Sequence, residues 1–186
     1  MTTHSLARFS QHMAAVTLLL MVTMLSLNVL VWLVPSLAAA DGWGLGFGLT
    51  ERQLSALGGQ VAGLSGWQVF GGIVLSSVPL LALASGLGHL RRLFNSYALG
   101  QYFSSQTALH MGKVGHAVAF WVLLDFVCEP LLSVWLTMNA PVGERLITLS
   151  ITAPTFVALF LAASISVIAR ILRQACEVDS ENRTFV

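Results

Sequence analysis

Three stretches of this chain hold no Asp, Glu, Lys or Arg: residues 9–40, 53–90 and 146–169. A helix that crosses a bilayer needs about 20 mainly apolar residues, and each gap is long enough for one. A fourth apolar stretch, 114–138, has only Asp125 and Glu129 inside it. Charged residues are 9% of the 186, and apolar ones 56%. Soluble domains carry about 25% charge, and disordered chains combine few apolar residues with many charges, so both classes are excluded. A formal net charge of +1 gives no broad attraction to nucleic acid, and no direct nucleic acid binding is expected. Barrel strands alternate apolar and polar residues over about 10 positions; these stretches are apolar on all sides.

The implied fold class is all-α: an integral membrane four-helix bundle in one domain, 1–186. The predicted helices are about 13–37, 67–99, 104–138 and 147–177, with an outer loop at 41–66. Arg8, an apolar run and Ala38-Ala39-Ala40 resemble a signal peptide, but the apolar run passes 20 residues, beyond the roughly 7–15 of a signal core. A retained anchor is the expectation. Short cytoplasmic segments collect Lys and Arg. Arg8, Arg91, Arg92, Lys113, Arg170, Arg173 and Arg183 fall on one side, and only Arg52 and Arg145 on the other. Both termini are therefore expected in the cytoplasm. Trp43, Trp67 and Trp135 sit near the outer interface, where amphipathic rings prefer to lie.

Two segments outside the apolar spans have their own patterns. On the outer side, Gly42 to Leu49 alternates glycine with large apolar residues, which denies it a helix and predicts an extended strip. Thr50 with Gln53 fits a capping box, followed by a short amphipathic helix through Leu54 and Leu57 that stops at Gly58-Gly59. On the inner side, Leu90 to Leu99 continues the second helix past the membrane. Gly100 suits the left-handed residue after a helix, and Ser104 suits the cap of the next. Helices two, three and four are expected to extend into the cytoplasm, the hairpin carrying Phe94, Tyr97, Tyr102 and Phe103. Aromatic rings are enriched at interaction surfaces.

Leu90-Arg91-Arg92-Leu93-Phe94, Tyr97, Gly100, Phe103-Ser104 and the tail from Ala169 to Val186 resemble a bacterial membrane family, the domain of unknown function 2975. The resemblance spans about residues 10–186. It implies four membrane helices in the bacterial inner membrane and no established chemistry. It also implies a regulatory partnership, because some members sit beside small helix-turn-helix regulators. The two acids of the third helix depart from many relatives.

Asp125 and Glu129 stand four apart, on one helix face. A charge within hydrocarbon is costly and usually faces the protein interior. One reading is a proton or cation site. The other is a buried polar cluster completed by Asn28, Ser76, Ser77, Thr155 or Ser164, with Arg145 reaching toward Glu129. Arg91, Arg92 and Lys113 fit either topology setting or anionic lipid headgroups. His110 and His116 are six apart, against a metal-pair spacing of three or four, so His89, His110 and His116 are read as interfacial. Cys128 and Cys176 lack a CxxC spacing, and no GxSxG elbow is present. No catalytic residue, cofactor or metal site is expected, and the chain is read as a non-enzyme. Ala162-xxx-Ser166 and Ala84-xxx-Gly88 permit close helix approach, within one chain or in a homo-oligomer. The function expected is a regulatory or interaction protein. It would present Arg91, Arg92, Phe94, Tyr97, Gly100, Tyr102 and Phe103 to a cytoplasmic partner. The alternative is a small transporter or ion or proton channel subunit using Asp125 and Glu129.

Overall fold

In the computed structural model, the described residues are 3–34, 48–57, 64–100, 104–139, 141, 145 and 147–184. They form five helices: α1 (Thr3–Leu33), α2 (Leu49–Leu57), α3 (Gly66–Ala98), α4 (Ser105–Thr137) and α5 (Ala153–Thr184). α1, α3, α4 and α5 are each long and apolar enough to cross a membrane, which makes this a multi-pass membrane protein. α3 and α4 have 33 residues each, about 50 Å at 1.5 Å per residue, against a hydrocarbon core of about 30 Å.

Local chemistry sets the helix ends. α1 starts earlier than expected, at Thr3, because nothing in residues 3–12 breaks a helix. It stops at Leu33 rather than 37, because Pro35 follows Val34 and the residue before a proline is steered out of the α region. α3 opens on a capping box that the sequence reading missed. The Ser65 N–H donates to Gln68 Oε1 at 3.0 Å, and the Gln68 N–H donates to Ser65 Oγ at 3.4 Å. Gly100 ends the α3 hairpin arm with φ +78°, as expected. The Thr107 N–H donates to Ser104 Oγ at 3.2 Å, the expected cap of α4. The last helix starts at Ala153, not 147, with Pro154 in its first turn, where a missing N–H costs nothing. Residues 147–152 are non-helical. The N–H groups of Thr148 and Ser150 there donate instead to Ser133 Oγ and Glu129 Oε2.

The chain divides into two compact units. One comprises Met1–Met21, Ala82–Phe120 and Ala153–Val186; the other comprises Val22–Leu81 and Trp121–Thr152. In the first, small residues let helices approach closely. A Cβ on Gly115 of α4 would overlap Ser166 of α5 and come within 2.8 Å of the Ala162 carbonyl oxygen. The Ala162-xxx-Ser166 pair is therefore occupied within the chain. Gly112 faces Ala169, and Gly86 of α3 faces Ala117 of α4.

The second unit is built on Val31, Trp32, Leu49, Leu54, Cys128, Leu132 and Leu136. Gly72 makes room for the Trp32 ring and Gly71 for the Trp135 ring. Gln68 Nε2 donates to the Leu136 carbonyl at 2.9 Å, and Trp135 Nε1 donates to the Gln68 carbonyl at 3.3 Å. Trp67 is exposed and its ring lies against Phe70 and Trp135. Polarity is inverted relative to a soluble protein. Asn28, Ser76, Gln68 and Ser133 are buried, while Leu19, Leu20, Phe70, Leu123, Phe156 and Phe160 are exposed. Lipid covers such apolar faces, and polar groups must find partners inside.

Candidate functional site

Asp125 and Glu129 of α4 share one partner, and it comes from the short helix α2. Arg52 donates through Nη2 to Asp125 Oδ2 and through Nη1 to Glu129 Oε2, the latter at 3.4 Å. The same Nη1 donates to Ser150 Oγ at 3.1 Å, and Nε donates to the Gly48 carbonyl at 3.3 Å. The same Gly48 carbonyl accepts the Arg52 backbone N–H at 3.3 Å, and Gly48, the residue before α2, has φ +52°. Where Arg145 was the expected partner, the structure supplies Arg52. A short amphipathic helix folded against α4 delivers a guanidinium that a linear reading of depth assigns to the outer surface.

Both oxygens of Glu129 accept hydrogen bonds. Ser150 Oγ donates to Oε1 at 2.6 Å, and the Ser150 N–H donates to Oε2 at 3.2 Å. The Glu129 residue is 2% exposed. One guanidinium balances one of the two carboxylate charges, and the Ser150 donors complete the shell of Glu129. Three chain segments (α2, α4 and residues 147–152) are tied together by this cluster. A carboxylate in a low-dielectric interior is tolerable only when so paired and hydrogen-bonded.

A second polar cluster lies in the same unit. Thr50 Oγ1 donates to Asn28 Oδ1 at 2.6 Å and accepts from Trp32 Nε1 at 3.2 Å. Trp32 Nε1 also donates to Ser76 Oγ at 3.0 Å, and Asn28 Nδ2 donates to Ser76 and Ser77 Oγ at 3.1 and 3.2 Å. Gln53 Nε2 donates to Thr148 Oγ1 at 2.7 Å. The expected capping box at Thr50 and Gln53 is thus corrected. Both side chains are buried and bond to other segments, because α2 starts at Leu49, two residues before the Glu51 that a Thr50 cap implies, and turns that face inward. Of the residues expected around the acids, Asn28, Ser76 and Ser77 form this neighbouring cluster. Ser164 Oγ bonds within its own helix, to the Phe160 carbonyl.

The expected cytoplasmic surface is divided by burial. Arg91 and Arg92 are exposed on α3, Leu93 is buried between them and the half-buried Phe94, and Tyr97 is half-buried. Tyr102, Phe103 and the strip from Gly42 to Phe47 lie outside the described residues, as do Gly58 and Gly59. His89 and His110, read separately as interfacial, meet across α3 and α4 with Nδ1 atoms 3.3 Å apart. Among the described residues, no group of three or more His, Cys, Asp or Glu is placed to hold a metal. The sequence reading missed Arg52, Ser150 and the His89–His110 pairing. No signal in the linear sequence singled out Arg52, since Arg145 shares its expected side.

No curated protein and no solved structure matches the chain. Residues 6–186 match the family described as "Protein of unknown function (DUF2975)", and with its four apolar helices the chain belongs to that family.

Proposed function

We propose that this is a non-enzymatic bacterial inner-membrane protein with both termini in the cytoplasm. In this reading the inner ends of α3, α4 and α5 form a surface for a protein partner, of the small helix-turn-helix regulator class that the family resemblance implies. The observation that carries the reading is the end of α3. The helix runs on past the charge-free stretch 53–90 through exposed Arg91, Arg92 and Asn95 to Ala98, and Leu99 in the turn that follows is 77% exposed. A helix needed only to span would stop once its apolar residues had crossed. The seven-to-two division of Lys and Arg supports the orientation.

The pairing of Asp125 and Glu129 to Arg52 supports a structural role for the acids over transport. Both acids are held by donors of the same chain, and Glu129 has donors on both oxygens. The test compares Leu99→Glu with Asp125→Asn in the tagged, detergent-extracted protein. The reading expects partner recovery to fall for Leu99→Glu at unchanged melting temperature, and to survive Asp125→Asn. Ion flux through reconstituted vesicles that Asp125→Asn abolishes would instead establish the transporter alternative. Orientation is checked by labelling intact cells from outside: Cys176 is expected to stay unlabelled, and a cysteine introduced by Ile147→Cys is expected to react.

A further inference from the structure

A cavity of about 290 Å³ lies between α1 and α3, lined by Thr17 and Met21 on one side and by Leu87, Gly88, Arg91, Arg92 and Asn95 on the other. Leu87, Arg91 and Asn95 stand at four-residue intervals, so they form one column on α3, with Gly88 and Arg92 in the column beside it. We propose that this cavity binds the phosphate headgroup of an anionic phospholipid, with Arg91 and Arg92 as its ligands. This goes beyond the partner surface: Arg91, Arg92 and Asn95 also lie on that end of α3, and the proposal assigns them a lipid ligand in the cavity against α1.

Charge argues first. Among the described residues, the salt bridges are those of Arg52 and Arg173, so Arg91 and Arg92 bring two uncompensated positive charges to one cavity. A guanidinium presents a planar fork of N–H donors that matches the oxygens of a phosphate. Asn95 adds an amide at the same wall. Thr17 Oγ1 already donates to the Met13 carbonyl at 2.7 Å, so it offers lone pairs and no proton. Shape argues next. Gly88 opens onto free space: a Cβ there meets nothing within 4 Å, so this wall of the cavity is not filled by packing.

Position decides for a lipid over a soluble phosphate. Met21, Leu87 and Gly88 belong to the apolar spans, and the two arginines begin where the charge-free stretch 53–90 ends. The cavity therefore sits where hydrocarbon meets headgroups. On the same two helices Leu20 and Leu81 are more than half exposed, as side chains facing acyl chains would be. Basic pockets between membrane helices at this depth hold anionic headgroups, and each charge near the surface contributes enough for about a fivefold change in affinity.

The test uses the full chain in neutral detergent, offered phosphatidylglycerol or phosphatidylcholine, with bound lipid counted by native mass spectrometry. Phosphatidylglycerol is expected to be retained in preference to phosphatidylcholine. Arg91→Gln with Arg92→Gln is expected to lower its affinity by about thirtyfold. Lysine at both positions should restore part of it, which separates lost charge from lost folding. Gly88→Leu keeps both charges but fills the cavity, and is expected to lower retention as well. Retention unchanged in the double Gln variant, or unchanged in Gly88→Leu, would overturn the proposal. Displacement of the lipid by inorganic phosphate at equal concentration would overturn the assignment to a lipid.

Discussion

Arg52 and Glu129 lie 77 positions apart in the chain, yet Nη1 of one stands 3.4 Å from Oε2 of the other. The contact joins α2 to the C-terminal third of α4, where a buried carboxylate alone would be costly. Removing one partner of a buried ion pair strands the other charge, at about 3–5 kcal/mol. Arg52 keeps part of its surface exposed, 29% of the side chain, so the low end applies. Arg52→Gln is expected to cost about 3 kcal/mol, read as a fall in detergent melting temperature. Adding Glu129→Gln and Asp125→Asn to it should recover much of that loss, because no charge is then left unpaired. Strict additivity in this mutant cycle would mean that the groups do not interact.

Thr50 and Asn28 offer a second cycle. Thr50→Ala removes both the donor to Asn28 and one acceptor of Trp32. An unsatisfied buried group costs about 1–3 kcal/mol. Asn28→Ala should then add little further loss, because the two groups belong to one network. Were Thr50 a helix cap, its loss would add to that of Asn28→Ala in full.

Gly115 is expected to be intolerant of any side chain. Gly115→Ala places a methyl group against Ser166 and the Ala162 carbonyl, and a backbone oxygen cannot rotate away. The cost expected is about 1–3 kcal/mol, as for other overpacked sites. Gly66→Ala is the control, since a Cβ there meets nothing within 4 Å. Equal melting temperatures for the two variants would contradict the close approach of α4 and α5.

Gly100 is limited by its backbone and not by space. Its φ is +78°, and a Cβ there would meet nothing within 4 Å. Gly100→Ala should destabilise by about 1 kcal/mol from left-handed strain, and Gly100→Asn by less, since Asn tolerates that region better. Thermal denaturation of the three proteins in one detergent orders them as Gly, Asn, Ala if the turn is as described.

Much of the architecture was legible in the linear chain because the bilayer imposes rules that need no partner. A stretch without charge that is long enough to cross must be helical, since each backbone polar group must be satisfied within its own segment. The positions of the four apolar helices, the Gly100 turn and the Ser104 cap all follow from such local rules. Helix ends that were misread were also local: Pro35 stops α1, and Pro154 opens α5. The interior orientation of Glu129 was legible for the same reason, as hydrocarbon does not tolerate a lone carboxylate.

The partners in the polar clusters were decided only by tertiary structure. Nothing in the linear order distinguishes Arg52 from Arg145 as the cation for Asp125 and Glu129; the folding of α2 against α4 makes the choice. Thr50 and Gln53 have the spacing of a capping box, but α2 begins at Leu49 and turns both side chains toward Asn28 and Thr148. The His89–His110 contact and the α1–α3 cavity likewise depend on which faces of two helices meet. Helix formation depends on residues within a turn of each other, whereas a hydrogen bond between distant segments depends on their relative rotation. That rotation is set by where small residues such as Gly72 and Gly115 admit a neighbour's bulk.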